Sequence, residues 1–270
     1  MPFNPDIIFS FQAAEETTPQ DWMKLIKESR RVSSFEVPGT FFENDQFKDF
    51  YHEVFKSGKR LISVRNIIPG SLTRNLSSCS EGIKSEIVNT LNQRIRDAAG
   101  AGAMYLNLDL GLNSIKSGYE IQEIGIRAQT LQQVMKTASE CGVSLLHSFR
   151  FPKSFPSSQE WKFLTILINS VLHHKFCGEI DIFPNEVPAS KAEGLMKRTY
   201  YSAKVIRFLY DPSNGGRLST DMHSTWRSTL SEQGFNGDII FSPKTQGLEM
   251  LKQEFNQLEG AVDIYRTAAV

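Results

Sequence analysis

Two rhythms of apolar residues alternate along this chain, one at helical spacing and one in short dense runs. Between Glu81 and Gly100, the residues Ile83, Ile87, Val88, Leu91, Ile95 and Ala98 fall at steps of three, four or one, which lines one face of a helix. Ser78 followed by Glu81 reads as a capping box that opens this helix, Gly100 and Gly102 stop it, and MYLNLDL begins a strand. The order is helix, glycine stop, strand, and the rest of the chain repeats it.

Asp6 to Phe11 reads as the first strand. Thr18 and Pro19 open a helix with Trp22, Leu25 and Ile26 inward, and Ser34 to Val37 is a short second strand. Asn44 caps a helix whose stripe is Phe47, Phe50, Tyr51, Val54 and Phe55, ended by Gly58 before the third strand, Leu61 to Val64. After the fourth strand, Ile124, Ala128, Leu131, Val134, Met135 and Ala138 mark a helix closed by Gly142, and VSLLH is the fifth strand. Ser157 with Glu160 forms a further capping box ahead of Trp161, Leu164, Ile168 and Val171, and the sixth strand runs from Gly178 to Phe183. Ser190 with Glu193 starts a helix before the seventh strand, AKVIRFLY; the turn-rich Asp211 to Gly216 follows. Trp226 and Leu230 precede the eighth strand, GDIIF, and Leu248, Leu251, Phe255 and Leu258 give the last helix.

Strands alternating with helices imply parallel crossovers, and closure into a single (β/α)8 TIM barrel over residues 1–270 leaves no sheet edge unprotected. An open doubly wound sheet is the alternative, but no GxGxxG follows the first strand. A barrel puts function at the carboxyl ends of the strands.

Composition narrows the chemistry. Thirty basic and thirty acidic residues cancel, so no net positive field exists for nonspecific nucleic-acid binding. Cys79, Cys141 and Cys177 are widely spaced with no CxxC pair, which argues against a disulfide framework and for a reducing cytoplasm. No apolar run reaches the ~18 residues of a membrane span.

The strand ends carry Gln12, Glu36, Arg65 with Asn66, Asp109, His147 with Ser148 and Arg150, Asp181 with Asn185 and Glu186, Arg207 with Asp211, and Ser242 with Lys244. Arg65, Arg150 and Arg207 at or near strand ends, with Arg74 and Lys244 in adjacent loops, suit capture of a carboxylate or phosphate. They predict a pocket for a small anionic or polyhydroxylated ligand, with Asn66, Asn185, Asp211 and Ser242 as further contacts. The competing expectation is that the arginines pair internally with Glu36, Asp109, Asp181 or Asp211 and plug the barrel.

The run from Arg65 through Pro69-Gly70 and Asn75-Leu76-Ser77-Ser78 to Ala-Gly-Ala-Met-Tyr-Leu-Asn-Leu-Asp-Leu-Gly resembles the third-to-fourth strand segment of the sugar phosphate isomerase/epimerase family. This is the xylose isomerase-like barrel superfamily, which also includes endonuclease IV-type enzymes. The resemblance implies isomerase or epimerase chemistry on a small sugar, sugar phosphate or sugar acid. It also implies a divalent metal, Mn or Mg, held by an acid after strand five, an aspartate after strand six, a histidine near strand seven and a glutamate after strand eight. Here Asp181 matches the aspartate, while Ser148 or His147, Phe208 and Ser242 stand at the other places, and Pro184 replaces a histidine common after strand six. A hydroxyl or a phenyl ring cannot replace carboxylate or imidazole ligands, so no tightly bound metal is expected. An endonuclease-like zinc cluster would need convergent histidines, and His52, His173 and His174 fall in or at the ends of helices.

Metal-free chemistry of this kind needs a base, an acid and a cation for the enediolate oxygen. His147, Asp181 and Glu186 are the acid–base candidates, with Arg65, Arg150 or Arg207 as electrophile. A catalytically degenerate barrel serving in carbohydrate binding or protein interaction is the alternative. Phe41, Phe42, Phe151 and Phe155, in loops beside strand ends, are expected to pack under the loops, wall the pocket or pair two chains as a homodimer.

Overall fold

The computed structural model describes residues 3–11, 18–43, 47–73, 75–76, 80–112, 115–151, 159–191, 203–212, 216, 218–244 and 248–266. In chain order they form β1 (Ile7–Ser10), α1 (Pro19–Glu28), β2 (Ser34–Pro38), α2 (Phe47–Lys56), β3 (Arg60–Arg65), the short α3 (Gly70–Thr73), α4 (Glu81–Gly100) and β4 (Tyr105–Leu108). Then come α5 (Glu120–Glu140), β5 (Ser144–Arg150), α6 (Gln159–Val171), β6 (Phe176–Ile182), β7 (Ala203–Tyr210), α7 (Thr220–Glu232), β8 (Asp238–Pro243) and α8 (Leu248–Arg266). Each strand pairs in parallel with the next and β8 returns to β1, which closes an eight-stranded barrel.

Local chemistry sets several of the element starts and stops. Thr18 caps α1 as expected: its hydroxyl accepts from the Asp21 N–H at 3.3 Å and the Asp21 carboxylate accepts from the Thr18 N–H at 3.0 Å. Helix α4 begins at Glu81 with Ser80 as its N-cap. The expected caps at Ser78, Asn44 and Ser157, the start at Glu193, and Gln12, Arg74 and Phe155 lie outside the described residues. Strand β5 runs on to Arg150, past the expected end at His147, because the long β6 offers it partners as far as Phe149 with Ile180 and Arg150 with Asp181.

The barrel interior is layered. Ile8, Ile62, Tyr105, Leu146, Cys177, Val205 and Ile240 form a separate apolar cluster inside the barrel. Two residues further along most of these strands, side chains face the interior again, at Ser10, Asn107, Ser148, Glu179, Arg207 and Ser242. On β3 a register shift opposite Phe35 and Glu36 turns Ser63 inward, where its hydroxyl donates to Glu36 at 2.7 Å. Every strand thus contributes a polar residue to one layer, above an apolar floor. The outward faces pack on the helices, as Phe9 does on Phe255 and Phe208 on Trp226. Among the described residues no helix is long and apolar enough to cross a membrane.

Candidate active site at the carboxyl end of the barrel

Arg207 lies at the centre of the polar layer, fully buried and not on the rim. Its Nη1 and Nη2 donate to the two oxygens of Glu36 at 2.7 and 2.6 Å, and its Nε donates to Glu179 Oε1 at 2.5 Å. Glu36 also accepts from Ser10 Oγ at 2.6 Å. Glu179 accepts from Asn107 Nδ2 and Ser148 Oγ, both at 3.1 Å, and Asn107 donates to Ser148 at 2.6 Å. The expected pairing of Arg207 with Glu36 is present, as part of the internal-plug alternative. Glu179, absent from the candidates, is its second partner, whereas Asp109 accepts from the Gly111 N–H at 2.9 Å.

One step nearer the rim, Arg65 bridges two carboxylates of β6. Its Nη1 is 3.1 Å from Glu179 Oε1 and its Nη2 is 3.3 Å from Asp181 Oδ2. Two atoms of this tier have no hydrogen-bond partner among the described residues: Arg65 Nε and Asp181 Oδ1. Arg207 Nε approaches Asp181 Oδ1 only to 3.7 Å, beyond hydrogen-bond range. Beside them Arg150, exposed and paired in register with Asp181, stacks its guanidinium 4.0 Å over the Phe183 ring.

The surrounding loops touch where glycine permits it. A Cβ on Gly39 would lie 2.3 Å from the Asn66 carbonyl, so the chain after β2 passes directly against the chain after β3, where Asn66 takes a φ of 52°. A Cβ on Gly216 would lie 2.6 Å from the Asp211 carbonyl and 2.7 Å from Asn185 Nδ2, which brings the loops after β6 and β7 together. Asn185 and Asp211 are therefore neighbours. Lys244 and Glu186 are exposed, and Ser242 is buried on the inward side of β8.

His147 stands apart from this group. It follows inward Leu146 and precedes inward Ser148, so its ring faces the helices, with Nδ1 2.9 Å from the Leu108 carbonyl. A carbonyl only accepts, so Nδ1 carries the hydrogen and the buried Nε2, without a partner among the described residues, is the acceptor. Burial lowers the pKa of this imidazole. Phe208, at the place expected for a metal-binding histidine, also faces outward.

The charges inside are three carboxylates against two guanidinium groups. Burial would raise Glu179, but Arg207 and then Arg65 outweigh it and hold its pKa down at about 2. For Asp181 burial is the largest influence, Arg65 opposes it, and the charge of Glu179 adds to the rise, leaving its pKa at about 7. Among the described residues no group of three or more His, Cys, Asp or Glu is placed to hold a metal ion.

No protein family model matches the sequence, and no curated protein does. Similarity appears in three dimensions. D-psicose 3-epimerase from Clostridium cellulolyticum H10, solved with D-tagatose, superposes with a TM-score of 0.73 at 12% identity, covering 97% of this chain and 100% of that one. A 3-keto-D-glucoside 4-epimerase from E. coli gives a TM-score of 0.68 at 9% identity, over 95% and 99% of the two chains. A xylose isomerase domain protein from Alicyclobacillus acidocaldarius gives a TM-score of 0.68 at 13% identity, over 97% and 99%. The closed (β/α)8 barrel of this chain therefore matches the fold of these solved proteins over almost its whole length.

Proposed function

We propose that the protein acts on or binds a small sugar, sugar phosphate or sugar acid at the carboxyl end of its barrel, as an isomerase or epimerase working without a divalent metal. The observation that carries this reading is that two buried atoms beneath the rim, Asp181 Oδ1 and Arg65 Nε, have no hydrogen-bond partner among the described residues, on side chains that meet through Arg65 Nη2 and Asp181 Oδ2. Buried polar groups are ordinarily satisfied, so two orphans at the end of the barrel where ligands bind suit a hydroxyl or carbonyl arriving from outside. The sugar epimerases among the structural neighbours supply the reaction class.

In this reading Asp181 removes the proton from the carbon beside a carbonyl, the C–H electron pair becomes the enediolate, and Arg65 faces the oxygen that gains charge. The same carboxyl returns the proton to the neighbouring carbon of the enediol, on the same face, while the hydroxyl proton passes to the former carbonyl oxygen, which completes an aldose–ketose exchange. A carboxyl held at about 7 suits both directions. Arg150, Asn185, Asn66 and Lys244 are the rim groups available to the rest of the ligand, with Asp211 beside Asn185, while His147 and Glu186 take no part.

The donor set speaks against a divalent ion. Both Asp181 oxygens face guanidinium groups, at 3.3 and 3.7 Å, Glu36 and Glu179 are engaged by Arg207, and the remaining inward groups are hydroxyls and an amide. A hard cation requires oxygen ligands not already bound to cations. Thermal unfolding in the presence of chelator, with ketoses, aldoses, their phosphates and aldonic acids, tests the reading. A ligand at saturation should raise Tm by about 5–10 °C. Absence of any response would refute sugar recognition, and a response only with added Mn²⁺ would refute the metal-free site.

A further inference from the structure

Side chains that face the barrel interior recur at every second residue of a strand, and on two neighbouring strands this column continues past the polar layer to the mouth. On β5, Leu146 and Ser148 face inward and the exposed Arg150 follows at the same spacing; on β6, Cys177, Glu179 and Asp181 face inward and Phe183 follows. Arg150 pairs in register with Asp181, but its side chain reaches further out and places its guanidinium 4.0 Å from the centroid of the Phe183 ring. No hydrogen bond or ion pair holds that guanidinium among the described residues. Nor is its charge called on from below, since Arg207 answers Glu36 and Glu179 while Arg65 answers Glu179 and Asp181. Exposed cations elsewhere do meet acids: Lys27 meets Glu53 and Arg60 meets Asp6, both at 2.8 Å.

An exposed arginine without a partner ordinarily keeps its rotamer freedom, and holding it still costs entropy that a ligand would have to offset. Stacking on Phe183 meets part of that cost beforehand. It covers only a face of the guanidinium, whose five N–H donors all lie in its plane. We propose that Arg150, seated on Phe183 at the mouth of the barrel, holds an anionic group of the ligand, so that the site takes sugar acids or sugar phosphates in preference to neutral sugars. The fork of donors fits a carboxylate or a phosphate through two parallel bonds, which a sugar hydroxyl cannot match. Arg65 is unsuited to that place, because its two terminal nitrogens are engaged by Glu179 and Asp181 and its Nε is buried. This seat presupposes the sugar site proposed above, but an anion alone can probe it.

The full-length chain, in chelator and at constant ionic strength, is titrated with ketoses and aldoses, with their phosphates and aldonic acids, and with inorganic phosphate alone, and binding is read by Tm and calorimetry. Wild type should bind a phosphate or an aldonate at least about tenfold more tightly than the neutral sugar of the same skeleton, and should bind inorganic phosphate weakly. Arg150→Met should fold with a Tm within about 2 °C of wild type, because it gives up only the contact with the ring. It should lose both the tenfold preference and the binding of phosphate. Phe183→Leu should weaken charged ligands about threefold, by releasing the guanidinium from its platform. Neutral sugars bound as tightly as charged ones, or charged ones bound equally by wild type and Arg150→Met, would overturn the anion seat while sugar recognition stands. Phosphate held through Arg150 with no sugar of either kind bound would keep the seat and refute sugar recognition. Silence toward phosphate and toward every charged sugar overturns the seat.

Discussion

Asp181 and Glu179 sit two residues apart on one strand, face the same interior, and are driven in opposite directions by it. Asp181 moves from an ordinary 3.8 to about 7, chiefly by burial, and Glu179 from 4.5 to about 2 under the pull of Arg207 and Arg65 against burial. The two shifts act on stability in different pH windows. Between about pH 4 and 7 the folded chain holds a proton on Asp181 that the unfolded chain has released, so this contribution is full at the acid end and is lost as pH rises through 7. Glu179 contributes stability above its ordinary 4.5 that is lost only as pH falls toward 2. Asp181→Asn, which cannot ionise, should therefore gain in Tm relative to wild type as pH is raised from about 5 to about 8. A Tm difference independent of pH would remove Asp181 from the titrating role. Glu179 was legible in principle, because Cys177, Glu179 and Asp181 alternate onto one face of FCGEIDI. The end of this strand points instead to its last polar residue, Asp181, whereas Glu179 enters the layer one inward position earlier.

At the scale of the elements, periodicity reported helices and strands well and their ends less well. The eight strands and the stripes of α4, α5 and α8 fall where apolar spacing puts them, since burial of one face is what forms them, whereas on α2 Phe50 and Val54 are buried but Phe55, expected in the same stripe, is exposed. The end of β5 was set by its neighbour β6, a pairing that no local pattern contains, and this is why His147 reads as a rim residue and proves to face the helices. Docking of α8 has a similar non-local cause. The Glu259 carboxylate accepts from the N–H groups of Arg30, Arg31 and Val32 at 3.0, 2.9 and 2.7 Å and from Ser29 Oγ at 2.6 Å, which ties the last helix to the turn between α1 and β2. These bonds hold its pKa down despite partial burial. Glu259→Ala should cost about 2 kcal/mol, read from denaturant unfolding, since four donors lose one charged acceptor at a partly solvated site. The loss should be largest above pH ~4.5 and shrink as the wild-type carboxylate is protonated in acid. A variant as stable as wild type at neutral pH would mean that water replaces the carboxylate without penalty.

For the molecule as a whole, the fold demands a filled barrel and is indifferent to what fills it. The lower layer is apolar, and nothing in the topology prevents the next from being apolar as well. Instead Glu36, Glu179 and Arg207 occupy it, at the desolvation penalty that buried ions carry, which well-packed hydrophobic groups of similar volume would avoid. Breaking the set and replacing it should then have opposite consequences. Arg207→Met alone leaves two acids buried with only Arg65 and should unfold about 10 °C earlier. The triple variant Glu36→Met/Glu179→Met/Arg207→Met leaves Arg65 facing Asp181 as a balanced pair, and should return to within a few degrees of wild type or exceed it. Its response to any sugar that stabilises wild type should vanish, because the charges that position Arg65 and Asp181 have gone. Differential scanning calorimetry of the three proteins decides the matter. A triple variant as unstable as the sum of its single substitutions would make the polar layer part of what holds the barrel together, whereas recovery of stability with loss of binding would mean that the chain bears the layer for the sake of the site above it.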